Sequence, residues 1–150
     1  MKKLDKSLFE KLRGVASNDG RGRAHHTLHP EPTDPVQRMC VAINPGSYIQ
    51  PHRHASPPKW ELFLILEGSA SILIFNDNAT VTERIDLTAN GSIQACEIPQ
   101  ETWHTLVVHT NGTILVEIKP GPYEPLTDKD FAAWAPKEGE KTARDLEKKL

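Results

Sequence analysis

Short apolar runs separated by turn residues fill the middle of the chain, from Val36 to Lys119. The runs are rich in Val, Ile, Leu, Phe and Thr, and turn residues interrupt them about every 8 to 12 positions, which is typical of an antiparallel sandwich or barrel. This pattern predicts an all-β fold. The predicted strands are residues 36–43, 48–49, 52–54, 60–66, 70–75, 80–86, 92–95, 102–108 and 113–119.

Two turn segments predict hairpins between these strands. Asn111-Gly112 separates two apolar runs, and this dipeptide suits a type I′ turn, in which both central residues have positive φ. The polar segment from Asn76 to Asn78 predicts a second hairpin.

Three of the predicted runs, residues 62–66, 72–75 and 114–116, are apolar on both faces. An antiparallel strand normally leaves one face in contact with water. We therefore expect the outer faces to be covered, either by the terminal segments or by a second subunit, and we predict a homodimer.

The two ends of the chain differ from the middle. Apolar residues at helical spacing after Asp5 predict a short helix over residues 5–13, with Gly14 as its stop. Residues 15–35 are rich in Gly, Arg, His and Pro and predict an extended arm. We divide this single domain into a helix and arm (1–35), a β-barrel (36–119) and a C-terminal wrap with a charged tail (120–150).

Two further helices are predicted in the C-terminal wrap. Thr127 or Asp128 can cap a short helix that runs through Phe131 to Trp134 and stops at Pro136. Residues 138–150 are strongly charged and predict a marginal, exposed helix or a tail.

The composition excludes some classes of function. A chain of 150 residues can bury enough surface to fold without disulfides or a structural metal. Its net charge of -2 gives no basic surface for nucleic acid or an anionic membrane. Cys40 and Cys96 lie far apart in no metal-like spacing, which favours a reduced, cytoplasmic protein.

The histidines suggest chemistry. His52 and His54 lie two positions apart on a predicted strand, so both imidazoles point to one face. Glu61 begins the next strong strand, and His104 lies at the start of a later one. Three imidazoles and one carboxylate suit a divalent Fe, Mn, Ni or Zn ion, with positions left open for water or a substrate.

These residues resemble the two motifs of the cupin family. The first motif is matched by Gly46, His52, His54, Glu61 and Gly68, and the second by Gly91, Pro99 and His104. The resemblance implies a double-stranded β-helix (jelly-roll) barrel with a metal inside it on His52, His54, Glu61 and His104. The gap between His54 and Glu61 is longer than in most cupins, and Glu101 replaces a small turn residue. Glu61 is therefore either a ligand or a residue that orients a ligating histidine.

A narrower resemblance is to the WbuC-type cupin-fold metalloproteins, a family associated with bacterial surface-polysaccharide gene clusters. The matching segments include Asp34 to Arg38, Lys59 to Phe63, Glu97 to Pro99, Lys119 to Tyr123 and Trp134 to Pro136. This resemblance implies a carbohydrate-type ligand and assigns no reaction.

Four residues outside the ligand set are candidates for binding a substrate. Lys59 shares a strand face with Glu61 and could anchor a phosphate or carboxylate, although a solvent-facing lysine is an equal alternative. Arg23 and His29 could cover the barrel mouth as part of a lid, or belong to a mobile or interface arm. Tyr123 could line the pocket or pack on the barrel.

Three functions are consistent with these residues. The first is a metal-dependent enzyme, such as an isomerase or oxygenase, acting on a small polar substrate. The second is a non-catalytic cupin that binds a sugar or another metabolite. The third is a metal-free, sugar-nucleotide epimerase-like cupin, in which a histidine acts as a base beside a carboxylate. The clustered histidines favour the metal over the third function.

Overall fold

The computed structural model describes residues 1–125 and 127–150, apart from the side chain of Arg144. In this part of the chain, ten strands and two α-helices follow one another. The strands are β1 (Arg23–Thr27), β2 (Val36–Ile43), β3 (His52–Arg53), β4 (Glu61–Glu67), β5 (Ser69–Phe75), β6 (Val81–Thr88), β7 (Ala95–Ile98), β8 (Trp103–Val108), β9 (Thr113–Pro120) and β10 (Asp130–Phe131). The helices are α1 (Lys6–Asn18) and α2 (Lys141–Glu147).

The strands form two antiparallel sheets. The first sheet has the order β1-β2-β9-β4-β7, and the second has the order β10-β3-β8-β5-β6. The all-β antiparallel prediction is confirmed, but the strands form two separate sheets and not one closed barrel.

Alternation along the strands builds an interior that is apolar at one end and polar at the other. On β4, Phe63 and Ile65 face the apolar core, and Glu61, two residues before Phe63, lies on the same face. On β8, Leu106 and Val108 face this core, and His104, two residues before Leu106, lies on the same face. Because strand side chains repeat every two residues, each strand carries its polar residue toward the same end of the interior.

The outer faces of both sheets are covered by the two ends of the chain. Phe9 and Leu12 of α1 pack on Cys40 and Ala42 of β2, and Asp5 caps the helix by accepting a hydrogen bond from the backbone of Leu8 at 3.0 Å. On the other sheet, the outer cluster of Leu73, Phe75 and Val107 contacts Trp134 and Leu150. The terminal segments thus supply the cover that the doubly apolar strands require.

The first predicted hairpin is wrong. The turn around Asn111 and Gly112 links β8 of one sheet to β9 of the other, and these two strands do not pair. Gly112 has φ +68° while Asn111 keeps an ordinary φ, so the turn is not type I′. The second predicted hairpin is confirmed, because Asn76 lies in the turn between the paired strands β5 and β6.

The ends also depart from expectation. Helix α1 continues past Gly14 to Asn18, and the predicted arm contains β1, which pairs with β2. The predicted helix after Thr127 is absent, because residues 130–131 pair with β3 and the Asp128 carboxylate binds two lysines instead of capping a helix.

Among the described residues, neither helix combines the length and the apolar character that crossing a bilayer requires.

Gly68 provides a test of the turn between the two sheets. Its φ is +87°, and an added Cβ would lie 2.4 Å from the hydroxyl of Thr113 and 3.1 Å from its Cα. We expect Gly68→Ala to lower the free energy of unfolding by about 2–4 kcal/mol, because a left-handed alanine and an overpacked turn both cost energy. Urea denaturation measures this loss.

Gly139→Ala is the matched control for this substitution. Gly139 has φ +90°, but no atom lies within 4 Å of its added Cβ. It should therefore lose only about 1 kcal/mol, the conformational part. Equal losses in the two variants would contradict the predicted clash.

Candidate metal centre

Two neighbouring strands place the three imidazoles together. His52 of β3 lies directly opposite His104 of β8, and their ring centroids are 4.5 Å apart. His54 follows the end of β3, and its ring centroid is 5.4 Å from that of His52. All three side chains are buried.

Each imidazole is oriented by a backbone carbonyl. Nδ1 of His52 donates to the carbonyl of Gln50 at 2.9 Å, and Nδ1 of His104 donates to that of Thr102 at 2.8 Å. Nδ1 of His54 donates to the carbonyl of Asp128. Because a carbonyl oxygen only accepts, Nδ1 carries the proton in all three rings and Nε2 is left as the ligand atom.

Glu61 comes from the opposite sheet. It is the first residue of β4, and its Oε2 lies 3.0 Å from Nε2 of His104 and 3.5 Å from Nε2 of His54. The long gap after His54 is taken up by a turn in which Ala55 and Pro58 form a β-bridge. Glu61 therefore reaches the imidazoles despite this gap.

The four residues form one compact donor set. One ligand atom from each of His52, His54, Glu61 and His104 lies within 4.8 Å of the others. Ligands on opposite sides of a transition metal lie roughly 4.2 Å apart, twice the bond length of about 2.1 Å, so the set needs only a small contraction to bind an ion.

The hydrogen bonding of this set is incomplete without a cation. Nε2 of His52 and Nε2 of His54 are buried and have no hydrogen-bond partner among the described residues. Buried polar nitrogens without a partner are costly and uncommon. Nε2 of His104 and the Glu61 carboxylate are both acceptors when Nδ1 carries the imidazole proton, so a proton or a metal ion must lie between them. The residues fit a divalent transition metal.

Electrostatics keeps two of these groups in the forms that bind metal. Burial lowers the pKa of His52 well below its usual range, and the charge of Lys129 lowers it further. Burial acts to raise the pKa of Glu61, but the surrounding groups, which are the imidazoles of His104 and His54 and the charged Lys119, together hold the pKa well below its usual range. A neutral imidazole and an ionised carboxylate are the ligand forms.

A buried cluster of charged side chains lies next to the donor set. The Asp128 carboxylate accepts from Nζ of Lys59 at 2.7 Å and from Nζ of Lys119 at 2.8 Å. Burial acts to raise the pKa of Asp128, but the charge of Lys119 and hydrogen bonds from both lysines lower it. Burial acts to lower the pKa of Lys119, but the charges of nearby carboxylates, Glu61 and Asp128 among them, raise it. The cluster therefore stays ionised.

A cavity of about 530 Å³ opens onto the donor set. His52, Glu61 and His104 line it, and the apolar side chains of Phe63 and Leu106 line it as well. Glu117 of β9 also lines it, and burial together with the charge of Glu61 raises the pKa of Glu117 to about 8. A carboxyl with a raised pKa thus lies beside the donor set.

The predicted substrate-binding residues lie in different surroundings. Lys59 does not line the cavity, because its ammonium is buried against Asp128 and the carbonyl of Pro122. Arg23 lines the cavity, but its guanidinium binds both carboxylate oxygens of Glu138 at 2.6 and 2.7 Å. His29 lines it as well, with its Nδ1 3.0 Å from the backbone nitrogen of Arg38. Tyr123 lines it and is exposed.

Sequence reasoning missed three residues around the cavity. Glu117 and Lys119 share a strand face with Leu115, so their alternation could have indicated inward-facing charges on β9. Lys129 lines the cavity from a segment that was predicted to be helical. No local signal shows that this segment returns to pair with β3.

Comparison with solved structures identifies the fold. KdgF from Halomonas sp. is 15% identical, with a TM-score of 0.53, over 69% of this chain and 81% of that one. The capsular polysaccharide assembling protein CapF from Staphylococcus aureus is 20% identical, with a TM-score of 0.52, over 66% of this chain and 27% of that one. A variant of oxalate decarboxylase from Bacillus subtilis is 15% identical, with a TM-score of 0.55, over 75% of this chain and 28% of that one.

These likenesses show that the chain has the cupin fold. The cluster of His52, His54, Glu61 and His104 is a candidate metal centre within that fold. At such identities the likenesses show the fold and not a shared activity, and the chain spans only about a quarter of the two larger proteins. Residues 4–87 match the family described as Domain of unknown function (DUF6016), and the chain belongs to that family. No curated protein matches the sequence.

Removing the Asp128 charge tests the buried ion cluster. We expect Asp128→Asn to lower the free energy of unfolding by about 3–5 kcal/mol, because it leaves two buried ammonium groups without their shared counter-charge. Urea denaturation of the metal-free protein measures the loss.

Asp130→Asn is the matched control. Asp130 pairs with Arg53 at 3.6 Å, and both side chains are partly exposed. The loss from this substitution should stay below about 1 kcal/mol. If the two variants unfold at the same urea concentration, the Asp128 cluster does not stabilise the fold as described.

Proposed function

We propose that this protein binds a divalent transition metal on His52, His54, Glu61 and His104, and that the metal centre takes a small polar ligand from the adjoining cavity. The observation that carries the proposal is the pair of buried, unpartnered Nε2 atoms on His52 and His54. They converge with Glu61 and His104 within bonding reach of one ion. Fe, Mn, Ni and Zn all suit this donor set.

Bound at this site, the ion would supply Lewis-acid chemistry to oxygen atoms of the ligand. The chain's own residues would orient the ligand and exclude water. Phe63 and Leu106 give the cavity an apolar wall, and Glu117 presents a carboxyl beside the donor set. If the protein is an enzyme, Glu117 is the group placed to move a proton to or from the ligand.

A binding protein without turnover is the alternative within the same site. Turnover by the metal-loaded wild type separates the two, and its loss in Glu117→Gln with the metal retained would assign the proton transfer to Glu117. The metal-free, epimerase-like alternative would need only one histidine beside a carboxylate, as His104 and Glu61 are arranged. It leaves the convergence of His52 and His54 without a role.

The ligand is proposed to be of the carbohydrate type, with a role connected to surface polysaccharides. This proposal rests on the resemblance of the motifs to WbuC-type cupins. Membership of that narrower group, the homodimer and the cytoplasmic location stay predictions from the sequence.

Metal analysis tests the centre directly. Protein purified without added metal should contain about one equivalent of a transition metal, and His52→Ala and His104→Ala should lose most of it, because each removes one of four donors. His26→Ala is the control, since His26 lies on β1 outside the cavity. Less than about a tenth of an equivalent, unchanged in the two variants, would contradict a metal centre of this affinity.

Glu61→Gln tests whether the carboxylate belongs to the donor set. An amide of the same shape lacks the negative charge, so we expect metal affinity to fall by at least roughly tenfold to a hundredfold. Competition with a fluorescent chelator measures the change, and an unaltered affinity would exclude Glu61 as a ligand. Metal should also raise the melting temperature of the wild type more than that of this variant.

A further inference from the structure

Four lysines and arginines line the cavity, and three of them are paired with carboxylates. Arg21 lies 3.5 Å from Asp19. The remaining two pairs are Arg23 with Glu138 at 2.6 Å and Lys119 with Asp128 at 2.8 Å. A charge that is already paired attracts a ligand anion weakly.

Lys129 differs from these three residues. It lines the cavity and is half-buried, and among the described residues, which include every Asp and Glu of the chain, no carboxylate lies within ion-pair distance of its ammonium. A half-buried ammonium with no carboxylate at ion-pair distance is available to an anion that enters the cavity.

Neighbouring contacts fix the backbone on both sides of Lys129. Asp128 is bound by Lys59 and Lys119, and Phe131 pairs with His52 between β10 and β3. Lys129 and Phe131 both line the cavity, whereas Asp130 between them pairs with Arg53. Lys129 comes directly before β10, and it lines the cavity as Phe131 does.

Lys129 also lies close to the donor set. Lys129 and His52 line the same cavity, and the ring centroid of Phe131, two residues after Lys129, is 6.1 Å from that of His52. One small molecule could thus contact both Lys129 and an ion held by the histidines.

We propose that Lys129 binds the anionic group of the ligand, so that the protein selects hydroxyl-bearing acids over neutral sugars. This inference rests on the proposed function, because it takes the cavity beside the metal centre as the ligand site. A carboxylate and a phosphate offer the same chemistry to an ammonium, so a sugar acid and a sugar phosphate are the two sources. Lys59, the lysine indicated by the sequence, is occupied by Asp128.

Isothermal titration of the metal-loaded protein with three probes tests the selection. Glucose is the neutral probe, glucuronate carries a carboxylate and glucose 6-phosphate carries a phosphate. We expect at least one acidic probe to bind roughly tenfold more tightly than glucose, as one charge-assisted contact provides. The acidic probe that binds more tightly identifies the source.

Variants of Lys129 assign this preference to one side chain. Lys129→Met should remove the preference for the acidic probe, and Lys129→Arg should retain most of it, because it keeps the charge. Lys148→Met is the matched control, since it makes the same charge change at an exposed residue outside the cavity. Its binding should equal that of the wild type.

Metal content measured on every sample separates this inference from the proposed function. If the wild type holds metal but binds both acids no more tightly than glucose, or if Lys129→Met retains the preference, the role of Lys129 is overturned and the metal centre stands. If the wild type holds no metal, the proposed function fails, and the same titrations on the metal-free protein still decide for or against Lys129.

Discussion

The Asp128 carboxylate joins parts of the chain that are far apart in sequence. The carboxylate accepts hydrogen bonds from Lys59 before β4 and from Lys119 at the end of β9. The backbone carbonyl of Asp128 accepts a third, from His54. Burying these charges would be strongly unfavourable without such mutual pairing. This cluster fixes both the orientation of the His54 ring and the position of residues 128–131 beside the cavity. The donor set and this part of the cavity wall therefore depend on the same contacts.

The fold also requires apolar packing on both faces of each sheet. The inner faces build the core between the sheets, while the outer faces need cover because their strands are apolar as well. Helix α1 covers one sheet, and Trp134 and Leu150 contact the other. The terminal segments are therefore part of the hydrophobic core, although their composition is polar.

Local patterns predicted most of the longer strands and the cluster of candidate ligands, but not β1, β10 or the bounds of β7. Residues 36–43 were predicted and form β2, and the residue types and order of His52, His54, Glu61 and His104 indicated the cluster that the structure shows. Both results depend on short-range regularities, which are the two-residue period of a strand and the spacing of a motif.

Long-range pairing was not predictable in this way. The turn at Gly112 looks like a hairpin locally, but the strands on either side belong to different sheets. Asp128 resembles a helix cap until its two distant lysines are known.

The order in which the site can assemble during synthesis follows from the position of Asp128 in the chain. All four donor residues have been synthesised once His104 is made, but Asp128 comes later. Until then, Lys59 lacks the carboxylate that neutralises it, Lys119 lacks the nearest of its carboxylates, and the Nδ1 atom of His54 lacks its carbonyl. A nascent chain should therefore keep these lysines in water and close the two sheets over the site only after the C-terminal segment has left the ribosome.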